Sequence, residues 1–234
     1  CALPIYEKTF ISDLKLENQL KEQGKYDLLG LIEEISQVDI HYIRQKEAKG
    51  LGHAVLCAKQ FVGNEPFAVM LGDDIVDAEV PCLRQLIDVY DDCQGTVLGV
   101  QEVAKDKVSS YGIVNPKKVK ENIWQAVDLI EKPSVEEAPS QLAVLGRYIL
   151  EPEIFALLEK TEPGRGNEIQ LTDAICKLAH EKPVYAYNFS GRRYDIGDKQ
   201  GYLEATVEYA LKRPEIRDKF LNYLAKTVGP LLNK

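Results

Sequence analysis

Apolar residues recur along the chain in two periods, and the elements follow from them. Leu14, Leu16 and Leu20 in the polar stretch 13–23, broken at Gly24, predict a short, mostly exposed helix. Leu28, Leu29, Leu31, Ile32 and Ile35 give residues 26–35 an apolar face at helical spacing. Residues 40–43 predict a strand, which makes His41 a strand residue rather than a catalytic base. A polar loop with Gly50 and Gly52 then opens a helix carrying Ala54 to Ala58. The run Phe67-Ala68-Val69-Met70-Leu71, bounded by turn residues, predicts a strand buried on both faces. Further on, the pattern predicts a helix over 81–90, a strand over 95–103, an extended segment at 111–114 and a basic turn over 115–122. Strands follow over 123–130 and 142–150, the second interrupted at Gly146-Arg147-Tyr148. A helix is expected over 153–159, another with Asn167 as its N-cap, a strand over 184–189, and two closing helices over 199–211 and 214–227. Trp124 is expected to pack rather than to stack on a ligand.

Strands alternating with helices make this an α/β protein with a doubly wound, mostly parallel sheet. Such sheets bind ligands just past the carboxyl ends of their strands. The 234 residues suit a single domain, expected over 6–234. Cys1 to Ile5 match an in-frame reading of a sequencing-adapter end and are set aside, so the natural sequence is expected to start near Tyr6, inside a longer protein. The net charge of −8 argues against a nucleic-acid partner, and a phosphate-rich substrate needs local basic groups against it. No apolar stretch approaches the roughly 18 residues of a membrane span. The five cysteines are scattered and lack CxxC spacing, which favours a reducing cytoplasm over a disulfide framework or zinc site.

Candidate chemistry sits at the predicted strand ends. Asp73 and Asp74 follow Gly72, and two adjacent carboxylates there suit Mg²⁺ held against phosphate, or else form a solvated acidic turn. The Gly50/Gly52 turn lets backbone approach a ligand, and the amide of Gln45 has the donor and acceptor that a uracil or thymine edge requires. Glu131-Lys132-Pro133 presents a carboxylate and an ammonium at a strand tip, with Pro133 ending the ladder. Asp195 lies between short extended residues and Gly197.

The segments Gln45-x-x-x-x-Gly50-Leu51-Gly52-His53-Ala54, Leu71-Gly72-Asp73-Asp74, Tyr111-Gly112-Ile113-Val114, Glu131-Lys132-Pro133, Gly146-Arg147-Tyr148, Glu168-Ile169-Gln170-Leu171-Thr172-Asp173 and Tyr194-Asp195-Ile196-Gly197 occur in an order and spacing that resembles the bacterial UTP–glucose-1-phosphate uridylyltransferases. The resemblance covers everything after Ile5. It implies a nucleotide-diphospho-sugar transferase fold, a homo-oligomeric intact protein, and transfer of UMP from UTP to glucose 1-phosphate with Mg²⁺. It implies catalytic roles for Lys132 and Asp73. Gln45 and Gly50 would meet the uracil, and Asp73 and Asp195 would hold the metal. Gly112, Glu131 and Gly146 would surround the glucose, with Lys132 on its phosphate.

The family's first strand and Gly-rich triphosphate loop have no counterpart in this sequence, so the 234-residue chain by itself is expected to be inactive. Ala48 also stands where the family often has Pro. The alternatives are a nucleotide-sugar binding module without catalysis and a metal-dependent UDP-sugar glycosyltransferase. The latter leaves Glu131-Lys132-Pro133 without a task.

Overall fold

The computed structural model describes residues 14–232, so the suspected scar at 1–5 lies outside it. Contacts divide the chain into two units, residues 1–44 and 45–234. The first holds helices α1 (Leu14–Glu22) and α2 (Tyr26–Ser36), joined through Gly24 at φ +67°. Leu20 and Leu29 are buried, while Leu28 and Leu31 stay exposed. Residues 40–43, expected as a strand, form none. Their apolar side chains Ile40, Tyr42 and Ile43 remain exposed, so nothing rewards ordering them into a ladder.

The second unit is built on a six-stranded sheet. In chain order it contains α3 (Leu51–Cys57), α4 (Lys59–Val62), β1 (Phe67–Met70), β2 (Asp74–Asp77), α5 (Cys82–Cys93), β3 (Val97–Glu102), β4 (Gly112–Lys120), β5 (Ile123–Glu131) and β6 (Leu142–Leu150). Then come α6 (Ile154–Leu158), α7 (Leu171–Glu181), β7 (Tyr185–Asn188), β8 (Arg192–Asp195), α8 (Lys199–Lys212) and α9 (Pro214–Leu232). The sheet order is β1-β6-β3-β7-β5-β4, and β2 pairs with β8 in a separate ribbon.

Alternation along the strands feeds two cores. Leu98, Val100, Val144, Tyr148 and Leu150 pack with Val55, Phe155, Leu171, Ile175 and Leu178 of α3, α6 and α7. Val97, Ala143, Leu145 and Ile149 pack on the other face with Cys82, Leu86 and Val89 of α5. Helices on both faces give the doubly wound α/β fold that the sequence pattern predicts.

The sheet is mixed rather than mostly parallel. Among the described pairings β3–β7 is parallel, and the ladders joining β1–β6, β3–β6, β4–β5, β4–β6 and β5–β7 are antiparallel. The physical reason is visible in β6, buried at every position. Helices cover both its faces, and two-sided burial gives a continuous apolar run whichever way the neighbours point. The Phe67 run departs in the opposite sense. Among the described residues strand β1 pairs with β6 alone, and Ala68 and Met70 are exposed, so it is not buried on both faces.

Two further expectations change. Residues 115–122 are not a turn: β4 runs through the lysines to Lys120, with a register shift at Asn115/Pro116, and the chain reverses at Glu121 and left-handed Asn122 (φ +58°). Exposed lysines suit a strand whose outer face is solvated. Lys118 Nζ lies 4.2 Å from the centroid of the Trp124 ring, which also packs against the first core. Asn167 does not cap α7, because residues 168–170 are held extended against the glycine loop. There the Ile169 N–H donates to the Lys49 carbonyl at 2.8 Å and the Gly52 N–H to the Ile169 carbonyl at 2.9 Å.

The contrast between a central and an edge strand is measurable by denaturant unfolding. Leu98→Ala, at 0% exposure in β3, is expected to cost about 2–5 kcal/mol. Met70→Ala, at 54% exposure in β1, is expected to cost within about 0.5 kcal/mol. Equal losses would place Met70 inside the core.

Candidate active site

The β2–β8 ribbon sets the site. Its register puts Asp74 directly opposite Asp195, two like charges on paired strand residues. Arg193, two residues before Asp195 and so on the same face, resolves the repulsion. Its Nε donates to Asp74 Oδ1, its Nη2 donates to Asp195 Oδ2 at 3.0 Å, and its Nη1 donates to the Tyr111 hydroxyl at 3.0 Å. The guanidinium also lies 5.0 Å from the Tyr111 ring centroid. Burial pushes the Asp74 carboxyl up, Arg193 pulls it back only in part, and the nearby Asp73 and Asp195 add to the rise.

A second buried guanidinium holds the turn that carries Asp73. Arg147 donates to the Leu71 carbonyl at 3.1 Å, to the Gly146 carbonyl at 3.0 Å and to the Asp74 carbonyl. Gly146 is left-handed at φ +52°, and a Cβ there would lie 2.1 Å from Asp74 Oδ2. Only glycine lets β6 pass this close to the buried carboxylate. Asp73 reaches the other end of the ribbon through its carbonyl, which accepts the Ile196 N–H at 2.8 Å. Its carboxylate and that of Asp195 flank Gly197, where a Cβ would lie 3.2 Å from Asp195 Oδ1 and 3.3 Å from Asp73 Oδ2.

The β4–β5 hairpin builds the opposing wall. Gly112 pairs with Glu131, and Glu131 Oε2 accepts the Thr172 hydroxyl at 2.6 Å. A Cβ on Gly112 would come within 3.0 Å of Thr172 Oγ1 and 3.1 Å of Glu131 Oε2. Lys132 takes a left-handed φ of +48°, which turns the strand end so that both Glu131 and Lys132 face the cleft. Their side chains lie 3.8 Å apart.

Together these residues line a cleft of about 290 Å³. It brings together Asp73, Gly112, Glu131, Lys132, Gly146 and Asp195 of the residues expected from the sequence. Gln45 and Gly50 are not in its lining, although their neighbour Leu51 is. The Gln45 side-chain amide donates to the Gly50 carbonyl at 3.1 Å and sits 2.9 Å from His53 Nδ1. Gly50, at φ +92°, packs tightly on Glu168 and Ile169, where a Cβ would lie 2.7 Å from Glu168 Cβ. A larger cavity of about 510 Å³ lies between 78–80, α5 and Ser190–Gly191. Glu79, Asp88 and Asp92 line it without a basic side chain, and it shares no residue with the cleft.

Chemically the cleft is acidic, with Asp73, Asp74, Glu131, Glu168 and Asp195 against Lys132 and Arg193. Such a lining repels a bare phosphate more than one that brings a cation. The Asp73 and Asp195 carboxylates bracketing Gly197 fit a small hard ion that keeps waters and phosphate oxygens in its remaining positions. Sequence reasoning missed Arg193, Tyr111 and Thr172 as site residues. The i, i+2 spacing of Arg193 and Asp195 on a strand could have revealed the first. The Thr172–Glu131 bond spans 41 residues and leaves no local signal.

Comparisons with known proteins follow this geometry. The profile of the nucleotidyl transferase family matches residues 9–212. The UTP–glucose-1-phosphate uridylyltransferase of Staphylococcus haemolyticus (strain JCSC1435) is 48% identical over 93% of this chain and 76% of its own length. The enzyme of that name from Bacillus subtilis (strain 168) is 49% identical over 94% of this chain and 74% of its own length. A crystal structure of UDP-glucose pyrophosphorylase complexed with UDP-glucose superposes with a TM-score of 0.80 at 41% identity, over 90% of this chain and 78% of the other.

Arg193→Ala leaves Asp74, whose side chain is 7% exposed, facing Asp195 without a counter-charge. Breaking a buried pair from one side is expected to lower the unfolding free energy by about 3–5 kcal/mol. Adding Asp74→Asn should recover part of the loss. A change under about 1 kcal/mol in urea unfolding would mean the pair behaves as a surface one.

Proposed function

The chain belongs to the nucleotidyl transferase family, among its UTP–glucose-1-phosphate uridylyltransferases, and from that premise we propose that the cleft seats glucose 1-phosphate beside a metal-bound nucleotide. UTP and glucose 1-phosphate give UDP-glucose and pyrophosphate. A phosphate oxygen of glucose 1-phosphate bonds to the α-phosphorus of UTP, and the bond from that phosphorus to the bridging oxygen of pyrophosphate breaks. No side-chain nucleophile is needed, so positioning and charge neutralisation provide the rate.

The observation that supports this reading is the one cleft in which Lys132, the Glu131–Thr172 pair and the Asp73 and Asp195 carboxylates all meet. Lys132 pairs with the sugar phosphate as a charge-assisted contact. Glu131, held by Thr172, accepts from sugar hydroxyls against the Cβ-free walls at Gly112 and Gly146. Asp73 and Asp195 hold Mg²⁺, which when bound supplies charge neutralisation and a template for the phosphates. Arg193 acts through Asp195, as a positioning residue. Gln45 meets uracil through its carbonyl oxygen, its N–H₂ being engaged by Gly50 and His53. Gly50 brings backbone to the base.

Two other readings are disfavoured. A binding module without catalysis leaves the carboxylate pair without a reaction to serve, and a glycosyltransferase leaves Lys132 without one. The scattered free thiols Cys57, Cys82, Cys93 and Cys176 accord with work in the cytoplasm. Exposed Tyr202, Leu203, Leu221 and Tyr223 on α8 and α9 offer apolar surface for a homo-oligomer.

The test is calorimetric titration with UDP-glucose and Mg²⁺, because the β-phosphate of that product is the phosphate assigned to Lys132. Lys132→Ala should weaken binding by about 1.5–3 kcal/mol, roughly ten- to a hundred-and-fifty-fold. Unchanged affinity would reduce Lys132 to a turn residue.

A further inference from the structure

Away from the cleft, β5 and α7 meet at Asp128, Cys176 and His180. Among the described residues these are the cluster of metal-ligating side chains that the fold assembles, with one ligand atom from each lying within 4.8 Å of the others. Cys176 and His180 are four residues apart on α7 and so share one helix face. The Cys176 thiol donates to Asp128 Oδ1 at 2.9 Å, and His180 Nε2 lies 3.9 Å from the same oxygen. The Leu129 backbone N–H also donates to Asp128 Oδ1 at 2.9 Å, a partner that fixes the carboxylate from behind. Asp173, on the same helix, adds negative charge near the thiol.

We propose that Asp128, Cys176 and His180 form a site for Zn²⁺ or a similar borderline divalent cation, separate from the Mg²⁺ of the cleft. The donor set is one sulfur, one nitrogen and one oxygen, which selects zinc-like ions over magnesium. Tetrahedral bonds of about 2.0–2.3 Å place donors roughly 3.3–3.8 Å apart. The observed 2.9 and 3.9 Å bracket that range, and all three donor atoms lie within 4.8 Å of one another, so rotations of the exposed His180 and half-buried Cys176 side chains are what a bound ion requires. The metal replaces the thiol proton, which passes to solvent, and a water takes the fourth position.

The location gives the site a consequence. Asp128 lies three residues before Glu131 on β5, and Cys176 lies four residues, about one turn, after Thr172 on α7. A metal joining Asp128 to Cys176 and His180 clamps the two elements that carry the Glu131–Thr172 bond of the cleft wall. The proposal rests on the cluster alone and stands whether or not the reaction assigned to the cleft is correct.

The experiment is titration of the whole chain with Co²⁺ in excess Mg²⁺, followed by Zn²⁺ competition, with absorbance as the readout. One equivalent of Co²⁺ should give a near-ultraviolet thiolate-to-cobalt band and the visible bands of a four-coordinate ion. Zn²⁺ should displace it and raise the melting temperature. Cys176→Ser, which keeps the side-chain volume, should remove the thiolate band and weaken binding at least about 100-fold, the upper end of what an outer-shell partner is worth. His180→Ala should weaken it by a similar factor while the circular dichroism stays native. A thiolate band of unchanged intensity in Cys176→Ser would place the metal on another cysteine, and no band in the unaltered chain would show no site; either result overturns the proposal.

Discussion

Two carboxylates forced face to face are the constraint on which this structure turns. Asp74 and Asp195 are paired across the β2–β8 ribbon, an arrangement that costs free energy on its own. Arg193 lies between them and bonds both, with Tyr111 behind it. The same ribbon brings Asp73 and Asp195 to either side of Gly197. Without the guanidinium the facing carboxylates would repel unopposed, at the point of the ribbon that sets the pair suited to a cation. The ion pair is therefore a device of position more than of stability, since a buried pair returns little net energy beyond its desolvation.

The rest of the cleft is arranged to let backbone come close. Gly146 takes a left-handed conformation with Asp74 packed where a Cβ would be. Lys132 takes a left-handed φ without being glycine, at a cost of roughly 1–2 kcal/mol. That strain is what turns both Glu131 and Lys132 to one side at the end of β5. Five acidic groups against two basic ones then make the cleft a poor host for a bare phosphate and a good one for a phosphate that brings a cation.

Much of this was legible in the sequence because it is local. Asp73, Lys132 and Asp195 were read from turn and strand-end patterns, and all three line one cleft. The α/β class and the helices after Gly197 follow from periodicity. Strand direction did not, because the apolar run of β6 records burial on both faces and nothing of its neighbours' polarity. Exposure of β1 was equally hidden, since its apolar residues look the same at an edge as at the centre. The start of α7 departs from the local preference of Asn167 because the Ile169 N–H donates to the Lys49 carbonyl and the Ile169 carbonyl accepts from the Gly52 N–H, long-range bonds that override it. The Thr172–Glu131 bond spans 41 residues and the Arg193–Asp74 bond 119, separations that no local pattern encodes, whereas Arg193 stands only two residues from Asp195.

The proposed site is a single cleft for both the metal-bound phosphates and the sugar. A crystal structure of this chain with Mg²⁺ and UDP-glucose tests it most directly. The account predicts the ion between Asp73 and Asp195, at about 2.0–2.1 Å from a carboxylate oxygen of each. It places the hexose against Gly112, Glu131 and Gly146 and the β-phosphate on Lys132. A ligand seated instead in the larger cavity beside α5, or a cation bound away from both aspartates, would contradict it.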